Sequence, residues 1–262
     1  VKIDDITMKL KNKVAVVTGG NSGIGFGIAE ALKNEGAVGA ITGRNEATLD
    51  TAAKELGEGF IGIKGDVTNL DDLENVYKVA AERFGKIDTL VVNAGGIVDG
   101  QPMAGINDVT EENYDLYMDL NLKSTYFSVK KALPYLKDGA SIILIGSTAA
   151  HRAAPGMTIY AAAKAAVISL AKGLSLDLLP RNIRVNTLSP GSIDTPVFGK
   201  IVPKEHLAGL KQMWVDIIPV GRMGSPADMG KAAAFLASDD SAFIVGTELI
   251  SDGGMTNISL MK

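Results

Sequence analysis

The chain of 262 residues has no cysteine, and that one absence removes disulfides, thiolate metal sites and cysteine nucleophiles together. It has two histidines, His151 and His206, and neither has metal-ligand company in the sequence, so no metal site is expected. Neither charge sign dominates: 26 Lys and Arg against 30 Asp and Glu give a net charge of -4. The charges are spread along the chain, which argues against nucleic acid and anionic membrane as partners. No apolar run reads as long enough to cross a bilayer. Val1 to Asn12 mixes polar and apolar residues without a signal-type apolar core, which predicts a cytoplasmic chain. There is also no internal repeat, low-complexity tract or linker, so residues 1–262 are expected to form one domain. With 46% hydrophobic side chains, a chain of this length buries roughly three quarters of its unfolded surface and needs no staples.

What is present is an alternation of short β-branched runs with longer helical periods, the pattern of an α/β chain. Strands are expected near Val14 to Thr18, Val38 to Thr42, Phe60 to Lys64, Thr89 to Asn93, Ser141 to Gly146, Arg184 to Leu188 and Glu248 to Ile250. Most are apolar throughout rather than alternating. Helices should therefore cover both faces of a doubly wound, Rossmann-type parallel sheet of about seven strands. One stretch escapes the pattern, a long irregular connection from Pro190 to Pro219 holding Phe198, Ile201, Val202, Leu207, Leu210, Met213 and Trp214. Connections of that size are often functional, and its apolar content predicts a substrate lid.

The first strand runs into Thr18-Gly19-Gly20-Asn21-Ser22-Gly23-Ile24-Gly25 and then into a helix. A strand, a glycine-rich turn and a helix N-terminus make a pyrophosphate cradle, because backbone N–H groups and the helix dipole face the anion and absent side chains permit close approach. Three residues separate Gly19 from Gly23, so the spacing departs from the usual G-x-G-x-x-G. After the third strand, Asp66 is placed either to cap the next helix or to accept a hydrogen bond from an adenine amino group, with Val67 beside it.

Tyr160 and Lys164 lie four residues apart and share a helix face with only alanines between them. Lowering a phenol pKa by roughly 2 to 3 units takes about 3 to 4 kcal/mol. An ammonium about 4 Å away at an effective dielectric near 20 supplies about that much. Ser147 closes the apolar run Ile142 to Gly146, so its hydroxyl belongs at the carboxyl end of a buried strand, where open α/β sheets bind ligands.

Taken together these residues resemble the classical short-chain dehydrogenase/reductase family, from Leu10 to Thr256. Thr18-Gly-x-x-x-Gly-Ile-Gly25 is similar to the family's cofactor loop and Asp66 to its adenine-contacting acid. Asn93-Ala94-Gly95 is similar to the motif that steadies the central strand. Asn121, Ser147, Tyr160 and Lys164 match the catalytic tetrad. Pro190-Gly191-Ser-Ile193-Asp-Thr195 resembles the segment that holds the nicotinamide carboxamide, and Gly221 to Gly224 and Asp252 to Gly254 resemble C-terminal landmarks. The resemblance implies that Tyr160 donates a proton to the alkoxide formed by hydride transfer. It implies that Ser147 stabilises the carbonyl oxygen, and that Lys164 lowers the tyrosine pKa and holds the ribose hydroxyls. Asn121 would anchor a water that relays protons toward Lys164, although an asparagine in a helix also commonly bonds backbone.

Cofactor choice is read at the end of the second strand, Ile41-Thr42-Gly43-Arg44-Asn45. Gly43 stands where an NAD-type acid is expected, and Arg44 can chelate a 2′-phosphate of about -1.5 to -2 charge. Ser22 and the nearby Glu46 pull the other way. NADP(H) is expected, with NAD(H) as the alternative. Ile97, Val98, His151, Met157, Phe198 and Trp214 are the expected pocket walls, which favours a neutral or hydrophobic small-molecule carbonyl. The expected activity is that of a carbonyl reductase or alcohol dehydrogenase. Alternatives are a 3-oxoacyl thioester reductase, a sugar or polyol dehydrogenase, or a catalytically silent dinucleotide-binding regulator. Lys123, Lys130, Lys131 and Lys137 make a modestly basic helix suited either to an acidic acyl carrier or to solvent. The family resemblance implies a homotetramer.

Overall fold

Five consecutive buried residues, Val14–Thr18, form β1, and their alternation divides the hydrophobic interior in two. Val14 and Val16 belong to one core with Leu90, Ile142, Leu144 and Val185. Ala15 and Val17 belong to the other with Ile41, Val91, Ile143, Ile145 and Leu188. A sheet with both faces buried needs a helix layer on each. The computed structural model describes residues 8–101, 103–200 and 202–258. Residues 1–7 of the N-terminal segment, read above for a signal core, and Ile201 of the expected lid lie outside the described residues.

The sheet has seven strands, all parallel to their neighbours. Its order is β3 (Phe60–Lys64), β2 (Val38–Gly43), β1, β4 (Ile87–Val92), β5 (Leu136–Ile145), β6 (Arg184–Pro190) and β7 (Glu248–Ser251). All seven expected strands are present; β5 departs most, starting at Leu136 rather than Ser141. Helices α1 (Gly23–Asn34), α2 (Glu46–Leu56) and α8 (Pro226–Ala237) cover one face. On the other lie α3 (Leu70–Phe84), α5 (Ser124–Ala132) and α6 (Thr158–Leu178). Before α5, α4 (Glu111–Met118) continues into one wide π turn, Asp119–Lys123.

Strand order reverses between β1 and β4, so the connections leave in opposite directions and a crevice opens at the carboxyl ends. Thr18 and Asn93 clasp its floor. The Thr18 hydroxyl accepts the backbone N–H groups of Asn93 and Ala94 at 3.0 and 3.1 Å. Asn93 Nδ2 donates back to the carbonyls of Thr18 and Gly19 at 2.9 and 3.1 Å.

Two expectations are corrected. Pro190 to Pro219 is largely helical rather than irregular: a short 3₁₀ turn, Pro196–Lys200, precedes α7 (Lys204–Ile217). Leu207, Leu210 and Trp214 recur at spacings of three and four, the stripe of an amphipathic helix, masked in the sequence by Pro203, Gly209 and Pro219. No residue of α7 is buried; Lys211 ties it to Asp194 at 2.7 Å. The second concerns Thr158–Arg181, which is long and apolar enough, by length and composition alone, to cross a membrane. In the fold this segment is a layer helix, because Ala163, Lys164, Val167, Ala171, Ser175 and Leu178 make one buried face.

The Thr18 clasp is testable. Thr18→Val keeps the shape and leaves two N–H groups without their acceptor, at about 1 to 3 kcal/mol each. Urea unfolding should show a loss of about 2 to 4 kcal/mol, with Thr18→Ser, which restores the hydroxyl, recovering most of it. Equal stability of the valine and serine variants would mean that the hydroxyl is not what joins β1 to β4.

Candidate active site

Helices α2, α3 and α4, entered from loops on this crevice, are capped and acidic at their starts, and α1 is not. Asn45 caps α2 ahead of Glu46, Asn69 caps α3 ahead of Asp71 and Asp72, and Thr110 caps α4 ahead of Glu111 and Glu112. Helix α1 begins at Gly23 with Ser22 in the N-cap position, no side-chain cap and no acid in its first turn. Its first N–H groups and the positive end of its dipole are therefore left for an outside anion. The turn has no room for side chains: a Cβ on Gly25 would lie 2.2 Å from the Gly19 carbonyl oxygen. Gly19 itself has a φ of 64°, a left-handed conformation. Thr195, beyond β6, comes to within 3.4 Å of where a Gly23 side chain would begin, so residues far apart in sequence close around the helix start. These residues fit a dinucleotide pyrophosphate.

At the adenosine end the expected residues have divided roles. Asp66 is not the helix cap, a place taken by Asn69; its Oδ1 accepts the N–H and hydroxyl of Thr68 at 2.9 and 2.7 Å. Val67 is buried beside it. The Asn45 side chain accepts the Thr48 N–H at 3.0 Å, so it shapes the loop rather than presenting a free amide oxygen. Glu46 pairs with Lys64 at 3.3 Å. Arg44 is exposed and pairs with Asp99 at 2.8 Å. Beneath it, a Cβ on Gly43 would meet Asn21 Oδ1 at 2.5 Å, and Asn21 is held by its Nδ2 donating to Thr48 at 2.9 Å. No side chain fits at position 43 unless Asn21 moves.

The reactive end gathers at the carboxyl end of β5. Lys164 is 4% exposed; its ammonium donates to the Ile145 carbonyl at 2.9 Å and sits 5.8 Å from the centre of the Tyr160 ring. Burial pushes its pKa down to about 8. The Tyr160 phenol is pushed up, first by burial, with the Ser147 hydrogen bond opposing and Tyr117 adding to the shift. A lysine-lowered phenol pKa is thus not what this structure displays: both groups lose hydration on burial, and for the phenol that outweighs the Ser147 hydrogen bond. Ser147 also accepts the Ala149 N–H at 3.1 Å, which fixes the turn beyond β5.

Asn121, fully buried in the π turn, clamps the backbone across the crevice. Its Oδ1 accepts the Gly96 N–H at 2.6 Å, while Nδ2 donates to the carbonyls of Gly96 and Tyr117 at 3.0 and 3.1 Å. Both amide hydrogens are engaged with backbone, so the side chain positions the Gly95-Gly96 segment. Tyr117, beside Tyr160, was missed by sequence reasoning; its position four before Asn121 was the available signal. Asp99 carried no sequence signal.

The expected pocket walls divide. Ile97, Val98, Met157 and Trp214 are partly buried and Phe198 is buried. His151 does not face a pocket edge as expected, because its Nε2 lies 2.9 Å from both carboxylate oxygens of Glu248. Glu248 is level in the sheet with Thr187, and Thr187 with Leu144, which draws the imidazole back below Ser147. The expected basic helix is divided, with Lys123 in the π turn, Lys130 and Lys131 in α5 and Lys137 in β5. Lys123, Lys131 and Lys137 pair with Asp119, Glu74 and Asp88, and Lys130 lies 5.9 Å from the Phe127 ring centre. The segment after β6 is fixed by Gly191 N–H donating to Ser251 at 3.0 Å and by Ile193 bridging Gly224.

Residues 19–256 match a family model described as enoyl-(acyl carrier protein) reductase. The chain is 40% identical to the 3-oxoacyl-(acyl-carrier-protein) reductase FabG of Chlamydia muridarum, over 94% of this chain and 98% of that protein. It is 37% identical to the galactitol 2-dehydrogenase of Agrobacterium fabrum, again over 94% and 98%. Among solved structures, a blue fluorescent protein from a metagenomic library in complex with NADPH superposes with a TM-score of 0.83. That protein is 31% identical, and the match covers 94% of this chain and 99% of that one.

The buried ammonium predicts a pH dependence. Lys164 titrates near 8 when folded against 10.5 in the reference state, so the unfolded chain holds the extra proton between those values and stability rises with pH there. Tyr160, raised above 10, works in the opposite sense only beyond pH 10. Urea unfolding between pH 7.5 and 9.5 should show wild type gaining about 1 to 2 kcal/mol relative to Lys164→Met. Parallel pH profiles for the two proteins would mean that Lys164 is not held at a depressed pKa.

Proposed function

The chain belongs to the short-chain dehydrogenase/reductase family, and from that premise we propose that it interconverts a ketone or aldehyde and its alcohol with NADP(H), Tyr160 carrying the proton. It is an oxidoreductase acting on CH–OH and C=O groups. The observation that carries the finer reading is the convergence of Ser147, Tyr160 and Lys164 at the end of β5, one strand from the β1–β4 switch point.

A nicotinamide cofactor bound on the bare start of α1 supplies or accepts the hydride. The protein's part is to hold the reacting oxygen and manage its proton. In the reductive direction the donor must begin protonated, and burial keeps the Tyr160 phenol so. Ser147 donates to the carbonyl oxygen and stabilises its growing charge. Once Tyr160 has given up its proton, the Lys164 ammonium over the ring stabilises the phenolate. In the oxidative direction the same pair receives the proton. Asn121 acts by fixing the Gly96 backbone.

Gly43, with no room for a carboxylate, and the guanidinium of Arg44 support NADP(H) over NAD(H). The in-chain pairing of Lys123, Lys131 and Lys137 leaves little free positive charge for an acidic carrier, which supports a small neutral carbonyl. Exposed Leu176 and Leu179 after the middle of α6, with Tyr114, Leu116 and Tyr126 around α4 and α5, support a homotetramer built on these helices. Surface helix α7 supports the lid role of residues 190–219.

A panel of ketones and alcohols, followed by reduced-cofactor absorbance with NADH and NADPH, tests the activity; turnover of none would favour a silent dinucleotide-binding regulator. Tyr160→Phe should lower kcat by about 10² to 10⁴-fold with cofactor affinity unchanged. Retention of half the rate, with chemistry limiting, would reassign the proton donor. Hydrogen exchange should show α7 opening more readily than α6 and gaining protection with cofactor and product together. Identical protection with and without ligands would leave α7 as fixed structure.

A further inference from the structure

Two exposed side chains on opposite banks of the crevice are joined. Arg44, the first residue beyond β2, donates from Nη2 to Asp99 Oδ2 at 2.8 Å. Asp99 lies in the segment after β4. Strand β1 stands between β2 and β4, so the two banks are about two strand spacings, roughly 9.5 Å, apart. The pair reaches from one to the other across the carboxyl end of β1, where the glycine turn begins.

Building on the NADP(H) reading above, we propose that Asp99 is a specificity-setting residue: its carboxylate occupies Arg44 as an internal stand-in for the cofactor's 2′-phosphate and yields the guanidinium when that phosphate arrives. The exchange is chemically conservative. A guanidinium that donates to one carboxylate oxygen turns to a phosphate bearing more charge and more acceptor oxygens. Both side chains are more than half exposed, 59% and 52%, so parting them strands no charge in the interior. The other carboxylate nearby in sequence, Glu46, is turned to Lys64 at 3.3 Å. NADPH must break the Arg44–Asp99 pair, whereas NADH, with no phosphate there, can leave it standing. Asp99 therefore lowers the preference for NADPH that Arg44 creates.

The test is calorimetric titration of the full-length protein with each reduced cofactor at 0.15 M salt, in wild type, Asp99→Asn, Arg44→Ala and the double variant. An exposed ion pair is worth about 1.5- to 5-fold in an equilibrium. Asp99→Asn should lower the NADPH dissociation constant by that factor and leave NADH unchanged, and the gain should vanish when Arg44 is already alanine. Arg44→Ala alone should weaken NADPH by about 10- to 150-fold and spare NADH. Unchanged or weaker NADPH binding in Asp99→Asn would overturn the proposal. So would equal gains for both cofactors, or a gain that persists without Arg44, since either marks general electrostatics or steric access. If Arg44→Ala leaves NADPH binding intact, the NADP(H) reading itself fails; if only the Asp99 arm fails, that reading stands.

Discussion

The site is organised around an ammonium that the fold removes from water. Lys164 has one hydrogen bond among the described residues, to the Ile145 carbonyl, and no carboxylate relieves its burial, so the proton is held less tightly and the pKa falls to about 8. Such a group is tolerated only where its surroundings are small and oriented. Position 95 is glycine; a Cβ there would come within 3.1 Å of Asn121 Oδ1 and 3.4 Å of the ammonium. Asn121 then pins the next peptide from both sides. Because α6 places Tyr160 one turn before Lys164, the phenol shares that poorly hydrated space. Burial thus moves the two groups in opposite directions, bringing the ammonium down toward neutral pH while keeping the phenol protonated there.

Position in the sheet converts this local chemistry into a two-part site. The reversal of strand order between β1 and β4 opens the crevice. Thr18 and Asn93 keep the two strands at a fixed spacing beneath it. The start of α1, without cap or acid, faces the same opening. One bank therefore offers backbone dipoles to an anion, while Ser147 beyond β5 and Tyr160 and Lys164 of α6 bring the hydroxyl, phenol and ammonium together beside it. Both parts sit on short turns held between strand ends and helix starts, which fixes their placement.

Legibility in the sequence followed the physics of each element. A parallel strand buried on both faces reads as a nearly unbroken apolar run, so Val14–Thr18 was located to the residue. The edge strand Phe60–Lys64 was placed by its apolar residues, and spacing along one helix put Tyr160 and Lys164 on a common face. What failed depended on tertiary context. Helix α7 was obscured because Pro203 and Pro219 flank it and Gly209 interrupts its amphipathic pattern. His151 was assigned to the pocket because it follows Ser147 closely, but the carboxylate that claims it, Glu248, comes 97 residues later. The phenol shift carried the wrong sign because a Coulomb estimate for two neighbours omits the desolvation they share. Asp99 was invisible for the simplest reason: an ion pair between loops leaves no periodicity to read.

Cofactor selection shows how packing can decide what a sequence position alone does not. A glycine at the end of β2 reads as a missing carboxylate, a vacancy that one substitution should fill. In the fold it is not vacant, since Asn21 from the glycine turn occupies the space with its amide anchored on Thr48. An aspartate at 43 would require the Asn21 side chain to swing away and give up that hydrogen bond to Thr48. Position 43 and the Asn21 side chain of the phosphate cradle are thus coupled: a side chain at one moves the other, beside the Arg44–Asp99 pair.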